Sequence, residues 1–330
     1  MINHKSLAVI NFRSSISSYS VTTMKRWSRS SSRLFLLASP IGLSKNQTLS
    51  ARFFCQSLLL DDNNQISKDD QGPKDTENEK FKSDPKKTEI TRRRFWKQVS
   101  LESNNSQGTY SILLDKRPLK TPKGSPLTIK HSQRTLALLL AGEWESQKTV
   151  LKHHSLPLTS LVSRAIDTFE DRNSSERQQA ITRLLSYLDT DTVCYQQSYP
   201  ESLVELQKRH WDPLLRWAQK FYEVEIKVTN SIMGVRQPES TIKRLKKVVD
   251  EFEPLKLAAF ERAVMITKSY LIGLGLVERQ INVKQATEAA HVEMESQTRQ
   301  WGIVEDAHDV ENEHVRCQLG SVACILINNS

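Results

Sequence analysis

Downstream of Arg92 the apolar side chains fall into two rhythms, one of period two and one of period 3.6. Between Arg92 and Lys130, Phe95, Val99 and Leu101 lie on one side of an alternating pattern, and Tyr110 to Leu114 forms a second run. Pro118, Pro122, Gly124 and Pro126 then punctuate the chain, as they do between short strands. A small antiparallel sheet is expected. Ser132 can cap a helix whose stripe is Leu136, Leu139, Leu140 and Trp144, with Glu143 and Glu145 flanking the tryptophan. Pro157 suits a first helical turn, and Leu158, Leu161, Val162, Ala165, Ile166 and Phe169 continue the same spacing.

The most distinctive stretch follows, Leu184 to Tyr195, in which an apolar helical stripe runs into an acidic, hydroxylated turn. Asn173, Ser174 and Ser175 offer N-caps, Glu176 supplies a first-turn acid, and Ala180, Ile181, Leu184, Leu185 and Leu188 form the buried face. Asp189, Thr190, Asp191 and Thr192 end the helix, because short polar side chains compete for its backbone hydrogen bonds. The β-branched pair Thr192-Val193 and Tyr195 favour extended chain beyond it.

From Pro200 an aromatic-rich stripe reads Leu203, Leu206, His210, Trp211, Leu214, Trp217, Ala218 and Phe221, which Pro213 must kink or split. Val224, Ile226 and Val228 alternate like one short strand. Pro238 opens a helix with Ile242, Leu245, Val248, Val249 and Phe252; Pro254 opens another that carries Leu257, Phe260, Val264, Leu271 and Leu274. Asn282 can cap a third helix through Trp301, and the last begins after Gly302. No period of 20 to 50 residues repeats, which argues against a solenoid.

Charge changes the picture only at the N-terminus. The formal net charge is +9, yet residues 1–60 hold Lys5, Arg13, Lys25, Arg26, Arg29, Arg33, Lys45 and Arg52 and no acid. Taking those eight from the 47 basic residues leaves 39 against 38 acidic ones, so the basicity belongs to the leader. An Arg- and Ser-rich, acid-free segment has the composition of an organellar transit peptide. Arg26, Arg29 and Arg33 at helical spacing, with a matrix-protease-like Arg52-Phe-Phe-Cys, favour the mitochondrial matrix. A transit peptide over 1–57 and a charged linker over 58–91, too poor in apolar groups to offset chain entropy, are expected. Two folded segments, 92–172 and 173–330, complete the expected organisation.

With its excess charge assigned to the leader, the chain lacks a basic-aromatic face for nucleic acid, although Arg92-Arg93-Arg94 invites the idea. The longest apolar run, Tyr270 to Val277, is too short to span a membrane. Of the four cysteines, Cys55, Cys194, Cys317 and Cys324, the first belongs to the leader. None forms a CxxC, which argues for reduced thiols, with Cys194 read as a small buried apolar residue. Gly273 and Gly275 lack the preceding strand and third glycine of a nucleotide loop, and close helix packing explains them better.

The acids tempt toward chemistry. Asp189 and Asp191 read either as metal ligands or an acid/base pair, as a turn that orders its own backbone, or as a recognition surface. In Glu305, Asp306, His308, Asp309, Glu311 and His314, the spacing of His308 and Glu311 is metal-compatible, but HExxH is absent. First-turn acids also complement a helix dipole, and an acidic segment can bind a partner. The enzymatic alternative is a mitochondrial metal-assisted hydrolase built on Asp189, Asp191, His308, Asp309 and Glu311. His210 reads as a half-buried histidine. Trp144 reads as core, with an interface anchor as the alternative.

The segments RRFWKQVSL, LLDKRPLKTPKGSPL, AGEWESQ, LPLTSLVSRAIDT, YLDTDTVCY, WDPLLRWA, IMGVRQP, LIGLGL and WGIVEDAHDVE occur in order from Arg92 to about Leu326. Together they resemble the ATP synthase F1 complex assembly factor 2 family, mitochondrial chaperones of the F1-ATPase alpha subunit. The resemblance implies an α+β fold, with a small N-terminal α/β-sheet domain followed by a C-terminal orthogonal helical bundle. It also implies a monomer without cofactors or chemistry that holds the free alpha subunit and shields the surface destined for the beta subunit. Carried onto this chain, the notable positions are Trp144, Asp189, Asp191, Glu305, His308, Asp309 and Glu311, as partner-binding candidates. One departure stands out: where the family has a run of glutamates before the final WG, this chain has only Glu293 and Glu295.

Overall fold

Four short strands and eleven α-helices make up the described part of the chain, residues 93–231 and 234–327 of a computed structural model. The expected transit peptide and linker, Arg92, and Ile232-Met233 of the IMGVRQP segment lie outside the described residues.

The sheet is a meander around β2. β1 (Val99–Asn104) and β2 (Thr109–Leu114) pair antiparallel, Val99 opposite Leu114 and Asn104 opposite Thr109. On the other edge of β2, β3 (Arg117–Pro118) pairs at Leu113-Leu114 and β4 (Thr128–Lys130) at Thr109–Ser111. The β2–β3 turn needs positive φ at both central residues, Asp115 and Lys116. The Asp115 carboxylate steadies it by accepting from the backbone N–H groups of Lys97 and Gln98 at 2.9–3.0 Å, bonds that lower its pKa. Ile112, Leu114, Leu127 and Ile129 bury one face of the sheet beneath α1 (Arg134–Glu145).

Helices supply the rest. α2 (Pro157–Arg164) runs on into a π turn, Ala165–Phe169, and α3 (Ser175–Ser186) starts where the Ser174 hydroxyl accepts from Arg177 N–H. α4 (Glu201–His210) and α5 (Asp212–Tyr222) are the two halves of the aromatic stripe, split at Trp211 because Pro213 fits only a first turn. The Trp211 indole N–H donates to the Ala289 carbonyl at 2.8 Å. α6 (Glu239–Asp250) follows as expected.

Two expected long helices are each broken. The Pro254 helix divides into α7 (Pro254–Thr267) and α8 (Tyr270–Val277) at Lys268, whose φ of 55° no α-helix tolerates. Apolar residues on both sides hid this break from the periodicity; the signal was Ser269, whose hydroxyl caps α8 by accepting from Ile272 N–H at 3.0 Å. The Asn282 helix divides into α9 (Val283–Ala290) and α10 (Val292–Trp301) at His291, although Asn282 does cap it, in a reciprocal box with Gln285. α11 (His308–Ile325) is the last. Two further corrections concern extended chain. Val224 to Val228 forms no strand, and only Thr229 bridges to Tyr195. Thr192–Cys194 makes a 3-10 turn, since Asp191 accepts from Val193 N–H and β propensity yields to that local bond.

α7 is the centre of the bundle and is apolar nearly all round, with Leu257, Phe260, Ala263 and Val264 buried among α2, α8, α11 and the π turn. Each large side chain so buried contributes about 1.5–3 kcal/mol. α8 approaches so closely that a Cβ on Gly273 would stand 2.7 Å from Val264 Cγ2, and one on Gly275 2.7 Å from Leu214 Cδ1. The glycines therefore serve packing, as read from the sequence. One apolar cluster runs from Trp96 to Ile325, shared by the 92–172 and 173–330 segments. Buried Arg177 crosses it, donating to the carbonyls of Phe169, Asp250 and Phe252 at 2.7–3.1 Å.

Candidate functional site

The structure distributes the candidate residues over three places. Trp144, half-buried on α1, rests against Trp96 with ring centroids 5.1 Å apart. Its indole N–H donates to Thr159 Oγ1 at 2.9 Å, and that hydroxyl donates to Glu143 Oε2 at 2.7 Å. Glu143 also accepts from the backbone N–H groups of Leu158 and Thr159, the orphan donors at the start of α2. Burial raises the Glu143 pKa, against the pull of these donors. Glu145, two residues on and on the opposite side of Trp144 in sequence, accepts from Val99 N–H and pairs with Arg94 at 3.3 Å. Glu143 and Glu145, read from sequence as mere neighbours of the tryptophan, thus clamp helix to helix and helix to sheet.

The acidic turn is a structural knot. Asp191 is 0% exposed. Its Oδ1 accepts from Ser269 Oγ at 2.6 Å and Val193 N–H at 3.0 Å, and its Oδ2 from Leu271 N–H at 2.9 Å. Burial pushes its carboxyl up to about 6 despite these donors. Asp189 turns elsewhere: Oδ1 accepts from Gln237 N–H at 2.9 Å, and its carbonyl from the Tyr195 hydroxyl at 2.8 Å. Cys194 is buried beneath, with its thiol pKa raised by burial, and accepts a 3.7 Å contact from Gln237 Nε2. Of the three sequence readings, the geometry matches a turn that orders its own backbone, and Asp191 has no surface to offer a partner.

The third place is exposed. From the end of α10 to the first turn of α11 the chain from Trp301 to Val310 presents Trp301 (73% exposed), Ile303 (73%), Val304 (59%) and Val310 (59%). Glu305, Asp306, Asp309 and Glu311 are exposed among them, and no Lys or Arg occurs from Trp301 to Val315. Asp309 and Glu311 lie in the first turn of α11, where the helix dipole favours acids. His308 closes the loop on itself: Nδ1 accepts from Val304 N–H at 3.2 Å, while His308 N–H donates to the Val304 carbonyl at 3.2 Å. Gly302, at φ 89°, turns the chain out of α10. The last helix, expected to begin directly after Gly302, starts only at His308, which leaves Ile303 and Val304 in the loop before it. Glu293 and Glu295 stand exposed on α10, Glu295 paired with Arg299 at 3.0 Å.

The hydrolase reading needs Asp189 and Asp191 to converge with His308, Asp309 and Glu311. Instead the Asp191 carboxylate is consumed inside the fold and the His308 ring is committed to its own loop. Among the described residues no three His, Cys, Asp or Glu side chains are placed to share a metal ion, and no helix is long and apolar enough to cross a membrane. An open cleft of about 520 Å³ lies elsewhere, by the start of α3, and its Asp167 and Glu176 are already bound to Thr121 and Lys123. His210 is half-buried, 3.9 Å from Glu288, its pKa lowered by burial.

Comparison with known proteins places these features in context. Residues 93–219 match the family described as ATP12 chaperone protein. The chain is 33% identical over 240 residues to Protein atp12, mitochondrial, of Schizosaccharomyces pombe, covering 71% of this chain and 81% of that one. It is 28% identical over 270 residues to Protein ATP12, mitochondrial, of Saccharomyces cerevisiae, covering 71% and 83%. The crystal structure of Atp12 from Paracoccus denitrificans superposes with a TM-score of 0.61 at 28% identity, covering 72% of this chain and 98% of that one.

Proposed function

Because the chain belongs to the ATP12 chaperone family, we propose that it is an assembly chaperone of the mitochondrial ATP synthase, one that holds the unassembled alpha subunit of F1 in the matrix. The family is one of chaperones and not of enzymes, and the curated relatives are named mitochondrial. The protein acts as a monomer, without metal or nucleotide. Its acid-free leader directs import and is removed near residue 57; N-terminal sequencing of the organellar protein tests this, and an intact Met1 would contradict it.

The observation that carries the reading is the exposed loop from Trp301 to Val310, large apolar side chains set among acids. Folded monomers seldom leave such a surface to water unless a partner covers it. Glu305, His308, Asp309 and Glu311 form its rim, whereas Trp144, Asp189 and Asp191 hold the scaffold. Affinity capture of the tagged chain from mitochondria, followed by identification of the co-purifying subunit, tests the assignment. The free alpha subunit is the expected partner, and recovery of the beta subunit alone would contradict it.

A further inference from the structure

The exposed loop between α10 and α11 also defines the chemistry of the segment it grips. We infer that Trp301, Ile303, Val304 and Val310 are the anchor of the docking site, and that the segment bound there is a short apolar stretch flanked by Lys or Arg. The inference rests on the chaperone reading above and specifies the client surface that reading leaves open.

Two observations carry it. The first is exposure: these side chains stand 59–73% open within ten consecutive residues. Nothing in the fold requires apolar residues there, since the loop is held through backbone groups and the His308 ring. The second is the sign of the surrounding charge. Glu305, Asp306, Asp309, Glu311 and Glu313 surround or follow the apolar residues, and Arg316 is the first cation after them, already paired with Glu313 at 2.7 Å. An acid-flanked segment would meet like charge along Glu305 to Glu313, whereas a base-flanked one is complementary; the nearest preceding cation, Arg299, is paired with Glu295 at 3.0 Å.

The two sets of groups divide the work. Burying a large aromatic or aliphatic side chain at the centre of an interface slows dissociation, whereas rim charges act on association through screened attraction. The loop is preformed by the reciprocal Val304–His308 bonds, which lowers the ordering cost on binding.

The test uses the full chain with the proposed client and with two probe peptides, an identical apolar heptapeptide flanked by lysines or by glutamates. Variants are Ile303→Ser/Val304→Ser and Glu305→Gln/Asp309→Asn, whose exposed sites leave the chain folded. The apolar variant is expected to release the client about tenfold faster at any salt, and the acid variant to associate several-fold more slowly at low salt only. The lysine-flanked peptide should bind and compete with the client, and the glutamate-flanked one should not. Client release by the apolar variant within twofold of wild type would overturn the inference, as would equal binding of both peptides. So would concentration-dependent self-association of the wild type that this variant abolishes, because a second copy would then cover the loop. If the client fails to bind wild type while the lysine-flanked peptide binds through the loop, the client assignment falls and this inference stands. If wild type and the apolar variant hold the client equally, the inference falls and the client assignment stands.

Discussion

Trp144 and Thr159 are joined by an indole-to-hydroxyl hydrogen bond of 2.9 Å, and the same hydroxyl donates to Glu143. The tryptophan is thereby one end of a relay that caps α2 from α1. Trp144→Phe should cost about 1 kcal/mol, since it loses one hydrogen bond and keeps most of the packing. Trp144→Arg also loses the packing on Trp96 and sets a cation in a half-buried site, so about 2–4 kcal/mol is expected. Thermal melting of both variants checks this, and an arginine variant that melts like wild type would refute the scaffold role.

Asp191 makes stability depend on pH in a defined direction. Burial lifts its folded pKa to about 6, above the ordinary aspartate value of 3.8. Such a group contributes stability that is fully present below the unfolded pKa and is lost as pH rises through the folded one. The stability difference between wild type and Asp191→Asn should therefore fall as pH rises from 4 to 6. Urea denaturation across that window measures it, and a flat difference would show that the three donors fully offset burial. Asp191→Ala strands the Ser269 hydroxyl and the Val193 and Leu271 N–H groups, each at about 1–3 kcal/mol, enough to prevent folding.

At Gly273 a methyl group would meet Val264 Cγ2 at 2.7 Å and the Val264 backbone nitrogen at 3.1 Å. Backbone cannot swing aside as a side chain can. Gly273→Ala should cost about 1–3 kcal/mol, against Gly142→Ala on the exposed face of α1, where nothing lies within 4 Å and helix propensity predicts a gain of up to about 1 kcal/mol. Opposite shifts in melting temperature are the expected result.

Glu311→Lys separates folding from binding. The residue is exposed in the first turn of α11, where loss of one acid costs about 0.3–1 kcal/mol through the helix dipole. The variant should remain folded and capture client several-fold more slowly at low salt, with the defect shrinking at high salt. Equal capture rates at low salt would make the acid purely structural.

The helices were legible where one face was apolar and a cap was present, as at Ser174 and Asn282. They were misjudged where a non-glycine residue, Lys268, takes the left-handed conformation, because its side chain carries no signal of that choice. Asp191 could be seen as a turn former but not as a buried anion, since its partners Ser269 and Leu271 lie some eighty residues away. The exposed loop escaped for the opposite reason: Ile303, Val304 and Val310 continue a helical rhythm, and periodicity alone cannot distinguish an apolar residue that is covered from one that awaits a partner.

The central claim is most directly tested by mixing the purified chain with isolated F1 alpha subunit and, separately, with assembled F1, and following complex formation by sedimentation velocity. The account predicts a one-to-one complex with the free alpha subunit and none with assembled F1, where on this account the beta subunits would occupy the client surface. Absence of a complex with the free subunit, or equal binding to assembled F1, would contradict it.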